Sequence, residues 1–252
     1  MTLVYRIASA WPSKPEAPEI IGRKFIQTLE LFERVDPLLA GWWTTTHNSH
    51  TYEHGPPLTV ASLKSDPADW LEGSRERDDW GDVDPSEGYT LGGLNGFPPG
   101  SLPKERQFLF IVSAGSRWVG KSSFELKPRV SLPEPTAITY AMFKGVLMAM
   151  ISVWPAPWAN AKCSIWGEDP PTLPGEPPFP YSGYQMPWIS YLSAERAAPL
   201  GPLPDLVTER TPDGGLLMSA TSDKFDPTNV EHMRRSRRMA EIMIEHAGNP
   251  GW

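Results

Sequence analysis

The sequence predicts an α+β fold, a mostly antiparallel sheet with three main helices. Three observations carry this. Three long stretches have helical apolar spacing. Short alternating or β-branched segments lie between them. Proline and glycine separate the elements without a regular strand–helix–strand rhythm.

Leu3 to Ser9 alternates apolar with polar, as a strand does. Pro15 to Pro18 suits a first helical turn, and Ile21, Phe25, Leu29 and Phe32 then recur on one face until Asp36-Pro37. Gly41 to Thr46 is aromatic and β-branched and reads as a strand. After a long polar loop, Asp66-Pro67 has the chemistry to start a short acidic helix through Trp70 and Leu71. Tyr89 to Leu94 reads as a strand, and Gln107 to Ala114 with Ser123 to Lys127 as a hairpin. The second main helix is expected from Pro135-Thr136 to Trp154. It is apolar nearly all round, which places it in the core. Lys162 to Trp166 follows as a strand. Glu168 to Trp188, rich in proline, reads as an ordered surface loop. Ile189 to Leu192 and Leu216 to Thr221 are strand-like. Asp226-Pro227 is expected to cap a last helix with Val230, Met233, Ala240, Met243 and Ala247 on one face. The strands total seven or eight.

A chain of 252 residues can bury a large core, and residues 1–252 are expected to form a single domain. Helix, proline stop and Trp-rich strand occur at Pro18–Thr46 and again at Pro135–Trp166. Halves 1–130 and 131–252 could thus be a duplicated α/β unit, or two helices that happen to end at proline. The longest apolar run, Ile138 to Trp154, has 17 residues and contains Lys144, so a core helix is expected rather than a membrane span. With no secretory signal in view, the expected location is cytoplasmic. The one cysteine, Cys163, excludes an internal disulfide and reads as a packed thiol.

Charge is unevenly placed. Residues 65–87 hold nine acids, with Arg75 and Arg77 as the only bases. That segment has net charge −7, which equals the charge of the whole chain. Such a concentration steers a basic partner toward one surface. Trp70 and Trp80, set among the charges, are expected to serve as aromatic anchors. The candidate partner-binding residues are therefore Asp66, Asp69, Trp70, Glu72, Glu76, Asp78, Asp79, Trp80, Asp82 and Asp84.

Other motifs have plainer readings. Gly115 to Ser122 matches GxxxxGK[ST] and follows a strand, so a nucleotide-binding enzyme is the alternative function. The residues after it alternate and then meet Pro128, which predicts a hairpin loop instead of the helix a phosphate needs. His47, His50 and His54, beside Glu53, could bind zinc or nickel but lie in a polar loop, so solvated histidines are expected. Arg234, Arg235, Arg237 and Arg238 are expected on the solvated face of the last helix, pairing with Glu231, Glu241 and Glu245. No GxSxG elbow occurs. Trp42, Trp154, Trp158 and Trp166 read as core. No cofactor, metal, direct nucleic-acid contact or membrane contact is expected.

Three groups of residues carry a family resemblance: Tyr5-Arg6-Ile7 with Trp11-Pro12; Asp36-Pro37 before Gly41-Trp42; and Ser219-Ala220-Thr221, Phe225-Asp226-Pro227 and Asn229. The chain thereby resembles bacterial immunity proteins of polymorphic toxin systems, in the group called immunity protein 52. The resemblance implies a non-enzymatic α+β antitoxin. It would neutralise a cognate toxin, often one delivered by type VI secretion and similar to restriction-endonuclease-fold nucleases. It implies no catalytic residues.

Overall fold

The computed structural model describes residues 2–45, 54–57, 71, 75, 82, 86, 88–96, 100–118, 122–130, 135–173, 175–176, 179–180 and 185–247. Strands β1 (Leu3–Ala10), β2 (Trp43–Thr45), β3 (His54–Pro57), β4 (Tyr89–Leu94), β5 (Phe108–Ala114) and β6 (Ser123–Pro128) come first. Then follow β7 (Trp158–Ile165), β8 (Met186–Leu192), β9 (Val207–Arg210) and β10 (Leu216–Ser219). The helices are α1 (Pro18–Val35), α2 (Tyr140–Val153), a single turn α3 (Ala194–Ala197), and α4 (Val230–Ala247).

The ten strands among the described residues join one sheet in the order β3-β2-β4-β5-β6-β1-β7-β8-β10-β9. Every pairing is antiparallel. The expected α+β class with three main helices is therefore observed, with more strands than the sequence suggested. The additions, β3 and β9, are four-residue edge strands, too short to show a period.

Helix α1 lays Ile21, Phe25, Leu29 and Phe32 on the sheet as its spacing requires. Phe32 meets Phe110 and Phe124 edge-on at 6.5 and 5.8 Å. Thr139 caps α2 by accepting from the Met142 amide at 3.1 Å, so the helix begins later than the apolar run. Phe143 of α2 packs on Tyr5 and Trp188, with ring centroids 6.1 and 5.4 Å away. α1 and α2 touch closely: a Cβ on Gly145 would lie 2.6 Å from the Val35 side chain.

The two halves of the sheet differ in cover. β1, β4 and β6 alternate buried with partly exposed residues, so one face is open. β8 is buried at every residue, which requires cover on both faces. α2 covers the face bearing Trp188 and reaches β9 through a Lys144–Glu209 ion pair. α4 packs against β8 and β10 and so lies on the reverse face.

Several expectations change. β8 starts at Met186, so Met186 to Trp188 are strand and not surface loop; the register with β7 shifts between Ala161 and Lys162, where Trp188 is the extra residue of β8. Asn229, not Asp226-Pro227, caps α4, accepting from the Glu231 and His232 amides at 2.9 and 3.3 Å. Asp226 instead closes the preceding turn by accepting from Thr228. Val230 is exposed, while Met233, Ala240, Met243 and Ala247 are buried. Trp42 and Trp154 are core, but Trp158 is only half-buried and Trp166 is 69% exposed. Trp166 lies just beyond the last residue of β7, where no layer covers it. Among the described residues no helix is long and apolar enough to cross a membrane.

Candidate functional site

The acidic segment is known through its fixed points. Of the candidate residues only Asp82 is described, and it is exposed. Asp66, Asp69, Trp70, Glu72, Glu76, Asp78, Asp79, Trp80 and Asp84 lie outside the described residues. Leu71 is fully buried in the main core. Arg75, one of the two bases, bridges Tyr89 of β4 through the backbone and places its guanidinium 5.3 Å from that ring. Ser86 meets the turn after β5. Its carbonyl accepts from the Arg117 amide at 3.0 Å and the Ser116 hydroxyl at 3.2 Å, and the Trp118 indole N–H donates to its hydroxyl at 3.2 Å. An apolar plug, a base on a ring and a turn contact thus tether the segment beside the β4–β5 end of the sheet.

The same turn is the start of the GxxxxGK[ST] stretch. Gly115 has φ +80°, and a Cβ there would meet Ile21 at 2.7 Å. Ser122 leads into β6, which pairs antiparallel with β5. The stretch is a hairpin connection, as its flanks predicted. No helix N-terminus follows to hold phosphate. Lys121 lies outside the described residues.

His47 and His50 lie outside the described residues, and His54 begins β3. The four arginines of α4 do pair: Arg235 with Glu231, Arg237 and Arg238 with Glu241, and Arg234 with Glu176 of the β7–β8 loop. Cys163 is buried, and burial pushes its thiol up to about 12, the state of an inert packed cysteine.

One charged feature escaped the sequence reading. Arg6 and Lys162 are direct cross-strand partners on the open face. Glu125 of β6 accepts from Arg6 at 2.9 Å and from Lys127 at 3.0 Å. Lys162 is 5% exposed. Burial, followed by the Arg6 charge, pulls its ammonium down to about 7, with Glu125 opposing. The signal was present as alternation: Asn160, Lys162 and Ser164 in β7, Glu125 and Lys127 in β6, and Arg6 in β1. Nothing in it said that these strands would be neighbours.

The described residues define an α+β scaffold: a single antiparallel sheet with three main helices. Residues 129–249 match the family model of immunity protein 52, which bears out the resemblance over that stretch. The stretch runs from just after β6 through α4 and contains Ser219 to Asn229 of the resemblance. A solved structure, described as a Pseudomonas aeruginosa T6SS protein, is similar in fold, with TM-score 0.55 and 14% identity. The match covers 95% of this chain and 73% of that one. No curated protein matches the sequence.

Proposed function

We propose that this protein is an immunity protein: it binds a cognate toxin and neutralises it in the cytoplasm, by binding and not by catalysis. The family match over residues 129–249 carries this reading. The T6SS description of the structural neighbour is in keeping with it.

The toxin in this reading is a nuclease, and residues 65–87 are the contact surface. A nuclease needs a basic cleft for phosphate. A segment of net charge −7 competes for that cleft and excludes nucleic acid. The tethers at Leu71, Arg75 and Ser86 support presentation of the segment from a fixed place on the scaffold. Steered association of this kind weakens as salt screens the charges.

The test uses the toxin encoded beside this gene. Co-expression is expected to restore growth and to suppress its nuclease activity. Titration calorimetry is expected to show tight binding that weakens at least tenfold when Asp78, Asp79 and Asp82 are all changed to Lys, with circular dichroism unchanged. Affinity untouched by the reversal at low and moderate salt would remove this surface from the reading. Absence of any complex would remove the function itself.

A further inference from the structure

The two edges of the sheet, β3 and β9, are built differently. β3 carries Pro56 and Pro57, which have no N–H to donate, so that edge is blunted against further pairing. β9 has neither a proline nor a bulge. Its register with β10 runs unbroken from Val207–Ser219 to Arg210–Leu216, and all four of its residues are exposed. The hairpin sets which backbone groups point outward. The Thr211 amide donates to the Gly215 carbonyl at 3.1 Å. Bonded pairs alternate along an antiparallel ladder, so Val207 and Glu209 bond to β10, while Thr208 and Arg210 turn N–H and C=O to the free edge. Beside these two residues lies a groove of about 320 Å³, walled by Leu200, Leu203 and Leu216. Arg210 is the cross-strand partner of Leu216, so both side chains share the face of the groove. Among the described residues the Arg210 guanidinium gives one hydrogen bond, to the Gly214 carbonyl at 3.3 Å, and makes no ion pair. Its neighbour Glu209 is taken by Lys144 of α2.

We infer that β9 takes up an extended segment of a partner protein as a further antiparallel strand, with an acidic side chain opposite Arg210 and, two residues later, an apolar one opposite Thr208 at the Leu200–Leu203 wall. Main-chain bonds to Thr208 and Arg210 supply the affinity, and alternate side chains supply the selection. Arg210 selects a carboxylate, which offers its guanidinium a charge-assisted hydrogen bond. The leucine wall selects an apolar neighbour on the same face. Pro204 and Pro212 bracket β9 and keep the added segment short. A second copy of this chain fits less well. A four-residue strand buries far less than the roughly 1,600 Å² of a standard interface. Self-pairing centred on Glu209 or Arg210 also sets like charges opposite each other. The inference stands apart from the acidic segment, which is anchored at β4 in the other half of the sheet.

The probe is the acetylated, amidated heptapeptide Thr-Val-Thr-Glu-Thr-Leu-Thr, titrated into the full chain by calorimetry and by amide hydrogen exchange. Binding with Kd on the order of 100 μM is expected. Exchange is expected to slow at the Thr208 and Arg210 amides, which the free chain leaves open, and to change little at Val207 and Glu209. Arg210→Glu is expected to weaken binding about fivefold with unchanged circular dichroism. A peptide N-methylated at its Glu and Leu nitrogens is expected not to bind, and this arm leaves the protein unaltered. No binding, equal binding of the N-methylated peptide, or binding without added protection at the two amides overturns the inference. So does a peptide with Lys in place of Glu that binds equally well, because an acidic partner is then not selected. Dimerisation of the chain alone in sedimentation velocity, with the same two amides protected, would give the edge to a second copy and overturn it too.

Discussion

The two halves of the sheet differ in how they are covered. β8 and β10 lie between α2 and α4, and β8 exposes nothing. α1 packs on β5 and β6, and β1, β4 and β6 alternate buried with partly exposed residues. The doubly covered half falls within the stretch that matches immunity protein 52. The acidic segment is tethered to the other half, outside that stretch. The doubly covered strands and the anchor points of the acidic segment thus lie in different parts of the sheet. A half buried on both sides tolerates little change in side-chain volume. A half with a free face can vary its charges at small cost to the core.

This contrast can be broken by mutation. The largest effect is expected from Phe143→Ala, which empties the space between Tyr5 and Trp188. It should cost about 3–5 kcal/mol, read by denaturant unfolding. A cost below that of a surface change would undo the idea that the doubly covered half holds the fold. Next is Gly145→Ala, whose new methyl group must displace Val35. A loss of about 1–3 kcal/mol is expected, largely recovered by adding Val35→Ala. Removal of the Asn229 cap by Ala should cost about 1 kcal/mol, seen as a lower Tm.

The subtlest test lies on the open half and concerns pH. Lys162 titrates near 7 in the folded chain and near its ordinary 10.5 when unfolded. Between these values the unfolded state binds more protons, so the contribution of Lys162 to stability rises with pH. Below about 7 both states are protonated and the full burial penalty applies. Lys162→Met should therefore be more stable than the parent at pH 6, with the advantage shrinking toward pH 10. Parallel pH profiles for the two proteins would show that Lys162 keeps an ordinary ammonium.

Much of the scaffold was legible because its signals are local. Ile21, Phe25, Leu29 and Phe32 mark the buried side of α1 by spacing alone. The alternation of Ser123 to Lys127 after a glycine turn gave away a hairpin where a motif search suggests a phosphate loop. Trp166 shows where such reading stops. Its composition is that of a core residue, yet it lies one position past β7 and is exposed. The cap of α4 was misplaced because Asp226 and Asn229 have the same chemistry; the path of the turn decides which one meets the first amides.

By itself, the sequence determined the class of elements, the helix faces and the −7 concentrated between Ser65 and Glu87, since these depend on neighbours along the chain. Only the tertiary structure decided which strands lie side by side. Arg6, Glu125 and Lys162 are more than a hundred residues apart from Arg6 to Glu125, yet the order β6-β1-β7 brings all three to one open face. Strand order comes from long-range pairing and from which faces the helices cover, and neither leaves a period in the chain.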